Sequence, residues 1–123
     1  QAYNTANGDV FRWRSMWPVL ARYFGLKSEP YGGSQLSLSE MMADADKAWR
    51  DMATKYNLIE PNLNKLAKWW HCDADFGRNV ECISDMSRSR ALGFNGYQNS
   101  RQTFTDLFSQ LTDAHIIPAF SKT

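Results

Sequence analysis

The sequence predicts a mainly α-helical fold of five or six helices. Apolar residues recur every three or four positions along most of the chain, and capping residues such as Ser, Asp and Asn precede these runs. Glycine or asparagine follows several of the runs, where a helix ends. The alternating pattern of a strand is confined to residues 2–6 and 80–83. We therefore expect a helical chain with one or two short strands.

Length and composition indicate one globular domain, residues 1–123, which is large enough to bury a core without metal or disulfide bonds. The hydrophobic content of 43% excludes a disordered tail. A net charge of +1 with scattered basic residues excludes a nucleic-acid surface, and no apolar run approaches the ~20 residues that span a bilayer. Because Cys72 and Cys82 do not form a disulfide framework, we expect a reducing, cytoplasmic compartment.

The chain opens at Gln1 with the strand-like residues 2–6, and nothing later in the sequence supplies neighbouring strands. Cleavage of a signal peptide before Gln1 is one explanation. We favour another, in which this is the C-terminal piece of a longer protein, because a lone strand needs partners for its backbone groups.

In the first half of the chain, Ser15 is the predicted N-cap of a helix with Pro18 in its first turn and Gly25 at its end. A capping box at Ser37–Glu40 begins the next helix, and Asn57 ends the one after it. The apolar faces of these helices predict core residues: Met16, Trp17, Leu20, Tyr23, Phe24, Trp49, Met52, Ala53 and Tyr56.

In the second half, Pro61 and Asn62 begin a helix that we expect to reach Trp70. A further helix begins at Ser84 or Asp85 and stops at Gly93, and a last helix begins at Ser100 as its cap. The residues expected to face the core are Leu63, Leu66, Ala67, Trp70, Phe104, Leu107, Phe108 and Leu111.

The tryptophan pair before residue 71 meets a polar break that holds His71, Cys72, Asp73 and Asp75. This arrangement is open to two interpretations, the wall of a pocket for an apolar ligand or a well-packed corner. Four metal ligands could converge here, but the spacing matches no zinc pattern. Cys72 and His71 are sequence neighbours that point apart and have no third orienting group, so a nucleophilic thiol is not predicted. Short acidic pairs such as Asp73 and Asp75 are mostly solvated or capping.

Cofactor motifs are absent from the sequence, which contains neither G-x-G-x-x-G nor G-K-[ST]. Tyr23 and Lys27 match the Tyr-x3-Lys spacing of short-chain dehydrogenases, but Gly25 interrupts the helix between them and Tyr23 belongs to the predicted core. We interpret that match as a coincidence. The residues therefore predict no catalytic, cofactor-binding or metal-binding group in this chain.

Five segments occur in the order and spacing of a known family. They are NGDVFRW (7–13), LAKWWHCD (66–73), ISDMSRSRALGF (83–94), NSRQTFTDLF (99–108) and IIP (116–118). Together they resemble the C-terminal third of the progesterone 5-beta-reductase and iridoid synthase-like family. These are atypical extended short-chain dehydrogenases/reductases that reduce activated C=C bonds of enones with NADPH.

The resemblance implies that this chain is the C-terminal, substrate-binding part of an α/β protein of the Rossmann type. The glycine-rich turn and the catalytic lysine and tyrosine of the family lie upstream of the matched region. The implied partners are therefore the upstream Rossmann domain and a small apolar enone-type substrate. NADPH is expected for the full-length protein and not for this chain, and residues 2–6 would be a late strand of the sheet.

The family carries a phenylalanine directly after its Trp-Trp pair, where it lines the substrate pocket, and this chain has His71 at that position. The resemblance implies a pocket wall of Trp70, His71, Ala74 and Asp75, and the substitution suggests a more polar substrate. An equally valid role for His71 is to cap the C-terminus of a helix. The alternative function is a free-standing helical module that binds an apolar ligand or a protein partner.

Overall fold

The computed structural model describes residues 2–119, and seven α-helices lie in this range. The described residues form two compact units, one of residues 2–29 and 80–107, the other of residues 30–79 and 108–119. The prediction of a mainly helical chain is confirmed, with one helix more than expected. The helices are α1 (Trp13–Tyr23), α2 (Leu38–Met41), α3 (Ala45–Tyr56), α4 (Leu63–Leu66), α5 (Trp69–Phe76), α6 (Ser87–Ala91) and α7 (Ser100–Asp113).

The prediction of short strands at residues 2–6 and 80–83 is wrong, because neither segment is a strand in the described part of the chain. A strand exists only with a neighbour that accepts and donates its ladder hydrogen bonds. Both segments are instead held through side chains. Asn4 Nδ2 donates to the carbonyl oxygen of Asp85 at 3.1 Å, and Arg12 forms an ion pair with Glu81.

Helix α1 begins earlier than the sequence predicts. Its N-cap is Arg12, whose carbonyl oxygen accepts hydrogen bonds from the backbone N–H groups of Ser15 and Met16 at 2.8 and 3.0 Å. Ser15 therefore lies inside the helix, and Pro18 lies beyond its first turn. Met16 is 2% exposed and is a core residue of the first unit, as predicted.

The start of α7 corrects the predicted cap at Ser100, which is the first helical residue. The capping side chain is Asn99, whose Oδ1 accepts a hydrogen bond from the Gln102 N–H at 3.1 Å. The Ser100 N–H and hydroxyl donate to the carboxylate of Asp9 at 2.8 and 2.6 Å, and Asn7 Nδ2 donates to Ser100 Oγ at 3.0 Å. These contacts satisfy the polar groups of Ser100, which is 5% exposed. The hydrogen bond from the Ser100 hydroxyl is the largest cause that lowers the pKa of Asp9.

Four helices end in a left-handed residue. Gly25, Asn57 and Gly93 were predicted to end helices, and they lie at φ 67°, 52° and 90°. Backbone hydrogen bonds then run back from the following residue, as from Leu58 to the Ala53 oxygen at 2.9 Å, which is the Schellman arrangement. His115, at φ 55° after α7, ends its helix in the same way and was not predicted.

The core of the second unit includes Ala53 and Leu63, which are 4% and 7% exposed. The indole Nε1 of Trp49 on α3 donates to the carbonyl oxygen of Glu60 at 2.9 Å, just before α4. Asn62 caps α4, as predicted for its start, since its side-chain oxygen accepts from the Asn64 N–H at 3.0 Å. Helices α3 and α4 therefore pack through small and aliphatic residues.

The single helix expected from Asn62 to Trp70 is wrong. Ala67 is extended, with φ −130° and ψ 141°, so α4 stops there and α5 begins at Trp69. The break changes the direction of every later side chain. Trp70, which was predicted to face the core, is 67% exposed.

Candidate functional site

The residues that the sequence suggested as a polar break are helical. Helix α5 runs from Trp69 to Phe76 and contains all the candidate site residues. Its first turn closes on Lys68, whose carbonyl oxygen accepts from the N–H groups of His71 and Cys72 at 3.0 and 3.3 Å. His71 therefore lies near the N-terminal end of a helix, which excludes the predicted capping role at a C-terminus.

The four residues predicted to line a pocket share one face of α5. At ~100° per residue, Trp70, Ala74, His71 and Asp75 fall within an arc of about 140°. All four are exposed. The structure thus places the predicted set side by side on one continuous surface, which we call the outer face of α5.

The opposite, inner face of α5 carries Trp69, Cys72 and Asp73, which are less exposed. Asp73 is the anchor of this face. Its carboxylate accepts hydrogen bonds from the backbone N–H groups of Leu38 and Ser39 at 2.6 and 3.0 Å. The hydroxyl groups of Ser39 and Ser37 add bonds at 2.6 and 3.4 Å. A residue of α5 therefore satisfies the first N–H groups of α2, which a helix cannot satisfy by itself.

The four donors stabilise the ionised form of Asp73 and lower its pKa, with the Ser39 hydroxyl as the largest cause. The predicted capping box is confirmed in its first half, because Ser37 Oγ accepts from the Glu40 N–H at 3.2 Å. Ser37 thus joins the cap of its own helix to the Asp73 carboxylate. Sequence analysis missed this link, since the two partners are about 35 residues apart.

A second contact fixes the residues before α2 to the inner face. Gln35 Nε2 donates to the carbonyl oxygen of Asp73 at 3.1 Å. The amide passes so close to the end of α5 that a Cβ atom at Gly77 would lie 2.5 Å from Gln35 Nε2. The same Cβ atom would lie 2.8 Å from the backbone carbonyl oxygen of Asp73, which cannot move aside as the Gln35 side chain can, so Gly77 permits the close approach.

The outer face carries a small charged cluster centred on Asp75. His71 Nδ1 lies 3.3 Å from Asp75 Oδ2, and Arg78 Nη2 lies 2.6 Å from Asp75 Oδ1. The Trp70 ring meets the imidazole edge to face, with 5.4 Å between ring centroids. Sequence analysis missed Arg78, although its spacing of three residues from Asp75 is a signal for an ion pair.

This geometry separates the residues once considered for catalysis. His71 and Cys72 are ~100° apart on the helix, and Asp73 and Asp75 are ~200° apart, so neither pair acts on a common atom. Cys72 and Cys82 are free thiols and belong to different units. In residues 2–119 no three His, Cys, Asp or Glu side chains converge as a metal site.

The described residues contain no strand followed by a glycine-rich turn. A dinucleotide site needs a glycine-rich turn between a strand and a helix, and residues 2–119 include no strand. The second unit has a shallow cleft, but its lining residues come from α3 and the start of α4 and not from α5: Asp46, Arg50, Pro61, Asn62, Leu63 and Asn64. Within residues 2–119, no helix is long and apolar enough to cross a membrane.

Comparison with known proteins identifies relatives of almost the whole chain. An (S)-8-oxocitronellyl enol synthase of Catharanthus roseus is 38% identical over 120 residues, which cover 96% of this chain and 31% of the relative. A 3-oxo-Delta(4,5)-steroid 5-beta-reductase of Arabidopsis thaliana is 34% identical over 122 residues, covering 96% of this chain and 30% of the relative. No protein-family profile matches the chain.

An (S)-8-oxocitronellyl enol synthase of Antirrhinum majus is also 34% identical over 119 residues, with similar coverage. The chain thus spans about a third of the length of these relatives. The resemblance inferred from residues 7–13, 66–73, 83–94 and 99–108 is confirmed. Over 96% of its length, this chain is a homologue of one part of the iridoid synthase and progesterone 5-beta-reductase family, consistent with the C-terminal part.

Proposed function

We propose that this chain is the C-terminal, substrate-binding part of an NADPH-dependent reductase that acts on activated C=C bonds of enones. The observation that carries the proposal is the match of 96% of the chain to both an enol synthase and a steroid 5-beta-reductase. The name of the steroid reductase describes a substrate with an oxo group conjugated to a double bond. Addition of a hydride to such a conjugated system yields an enol, which is the product type in the name of the enol synthase. The chemistry shared by the two names is conjugate reduction.

In this proposal the outer face of α5 forms one wall of the substrate site. Trp70 offers a large apolar surface that is 67% exposed, and Ala74 lies one turn further on. Small-molecule sites are lined mostly by apolar and aromatic side chains with a few placed polar groups, and this face would supply one such wall. The contacts of Asp73 with Leu38 and Ser39 hold the opposite face, which keeps the wall rigid.

The remaining parts of the reaction lie outside this chain in the proposal. NADPH supplies the hydride, and an upstream Rossmann domain of the same protein would hold it against the substrate. The chain contributes binding and orientation in this proposal, and the acid–base groups come from the upstream part of the protein. The cytoplasmic location expected from the unpaired Cys72 and Cys82 belongs to the same proposal.

The full-length protein, purified and supplied with NADPH and a panel of enones, tests this function. Loss of NADPH absorbance that depends on the enone, with a saturated ketone product, is expected. The 123-residue chain alone should show no such activity and no NADPH binding at micromolar concentration by calorimetry, because it contains no phosphate-binding loop. Saturable binding of NADPH by the chain alone would contradict the proposal that only the upstream domain binds the cofactor.

A further inference from the structure

We propose that His71 determines the substrate class of this site and that Asp75 fixes its imidazole as a hydrogen-bond acceptor. The substrate it selects is an enone that carries a hydroxyl group opposite α5. This inference rests on the proposed function and narrows it from enones in general to hydroxylated enones.

The distance between His71 Nδ1 and Asp75 Oδ2, 3.3 Å, carries the first step. The contact is an ion-pair distance and not a hydrogen bond, but a carboxylate attracts an N–H and repels a lone pair, so a neutral imidazole that faces it through Nδ1 favours the tautomer with its proton there. The other ring nitrogen, Nε2, then keeps a lone pair and no proton. The tautomer of His71 is thus set by its neighbour one helical turn away.

The second step is the rigidity of this arrangement. Both residues are on α5 at a spacing of four, and Arg78 holds the second carboxylate oxygen of Asp75 at 2.6 Å. Asp75 therefore has one oxygen directed to each neighbour and little freedom to turn. The rings of Trp70 and His71 pack edge to face, which further restricts the imidazole.

The third step is access to Nε2. The His71 side chain is 64% exposed, compared with 46% for Asp75, so the ring is the more accessible member of the pair. In residues 2–119 His71 Nε2 makes no hydrogen bond to another side chain or to the backbone. A ligand group beside Trp70 and Ala74 therefore meets an acceptor on the same face of the helix.

The chemistry of an acceptor defines its partner. A hydroxyl donates its proton to Nε2, whereas a carbonyl has only lone pairs to offer and is repelled. A methyl group leaves Nε2 without water and without a partner. The order of preference expected at this position of the substrate is hydroxyl above methyl and carbonyl.

Nitrogen-15 NMR of the imidazole rings tests the tautomer without any enzyme activity. The chain has two histidines, His71 and His115, and His115→Gln assigns their signals. Above pH ~8, where imidazoles are neutral, His71 should show a protonated Nδ1 and an unprotonated Nε2. Asp75→Ala should shift the proton mainly to Nε2, the form that a free histidine prefers in water. Asp51→Ala, which removes an exposed carboxylate of α3 and leaves α5 unaltered, should keep it on Nδ1.

Kinetics of the full-length reductase test the selectivity. Three enones that differ only by a hydroxyl, a carbonyl or a methyl group at one position are compared by kcat/KM. The hydroxyl compound should exceed the carbonyl compound about tenfold, and Asp75→Ala should remove or reverse that ratio while Asp51→Ala retains it.

Two results would overturn the inference. One is a proton on Nε2 of His71 in the unaltered chain, and the other is a hydroxyl-to-carbonyl ratio that Asp75→Ala does not change in a folded enzyme. A full-length protein that reduces no enone with NADPH would instead refute the proposed function. In that case the NMR result would still show which tautomer His71 adopts.

Discussion

Helix α5 presents two carboxylates on opposite faces, and their surroundings differ in kind. Asp73 accepts four hydrogen bonds from Ser37, Leu38 and Ser39, a segment that is distant in the sequence. Asp75 faces only His71 and Arg78, which are four and three residues away. The comparison teaches that one residue type, repeated after two positions in a helix, serves packing on one face and remains exposed on the other, where we propose ligand contact.

The physical cause of the difference is the helical repeat. Two steps of ~100° place the side chains on opposite sides, so one carboxylate meets the N-terminus of α2 and the other meets solvent. The inner contact adds distant partners and so stabilises the tertiary structure. The outer contact joins only residues that are close in the sequence, and its side chains stay exposed.

Removal of the inner carboxylate should have the largest effect on stability. Asp73→Ala leaves the Leu38 and Ser39 N–H groups without their acceptor, and we expect Tm to fall by about 5–10 °C. Thermal unfolding followed by circular dichroism measures this change. An unchanged Tm would mean that water replaces the carboxylate at no cost.

Acidification should produce the same loss without a mutation. The pKa of Asp73 is lower in the folded chain than its ordinary value of 3.8, so its contribution is complete above that value. The contribution disappears as the pH falls through the lowered pKa, when the folded state must take up the proton. The difference in stability between the unaltered chain and Asp73→Asn should therefore be constant near neutral pH and shrink in strong acid. A difference that grows on acidification would contradict this sign.

Replacement of the His71 imidazole should change which substrate the enzyme prefers. His71→Phe restores the residue of the resembled family and removes the acceptor of the outer face. In the full-length enzyme, the ratio of kcat/KM between a less polar and a hydroxylated enone should rise by about one to two orders of magnitude, on the order of 1–3 kcal/mol. An unchanged ratio in a normally folded variant would assign His71 a structural role.

Loss of a single hydrogen-bond donor to the Asp73 carboxylate should have a smaller effect on stability. Ser39→Ala removes the hydroxyl contact at 2.6 Å but keeps the backbone N–H contact of the same residue. We expect the free energy of unfolding to decrease by about 0.5–1.5 kcal/mol, the usual value of one hydrogen bond. Chemical denaturation measures it, with Ser34→Ala in the loop before α2 as a control. A loss as large as that of Asp73→Ala would contradict this ranking.

Much of this arrangement could be predicted where it depends on neighbours in the sequence. Gly25, Asn57 and Gly93 end helices because these residue types adopt the left-handed conformation. The shared face of Trp70, His71, Ala74 and Asp75 was not predicted from spacing, because the sequence indicated a polar break after Trp70 where the structure has α5. His115 also ends a helix but was missed, since a non-glycine residue seldom adopts that conformation, even though histidine is among those enriched in it.

What the sequence did not predict depends on distant partners. Asp73 meets a segment about 35 residues away, and Asp9 meets Ser100 across 91 residues. No local pattern encodes which helix N-terminus a carboxylate will reach. Residues 2–6 failed as a strand for the same reason, because a ladder requires a neighbour and none is present in residues 2–119.

The central claim, that the two faces of α5 have separate roles, is tested most directly by measuring both properties on two variants of the full-length enzyme. Asp73→Asn should lower Tm and, below its unfolding temperature, keep the kcat/KM ratio between hydroxyl and carbonyl enones. Asp75→Ala should keep stability within about 0.5 kcal/mol, as for other exposed positions, and change the ratio about tenfold. If each variant changed both properties together, the separation of the two faces would be contradicted.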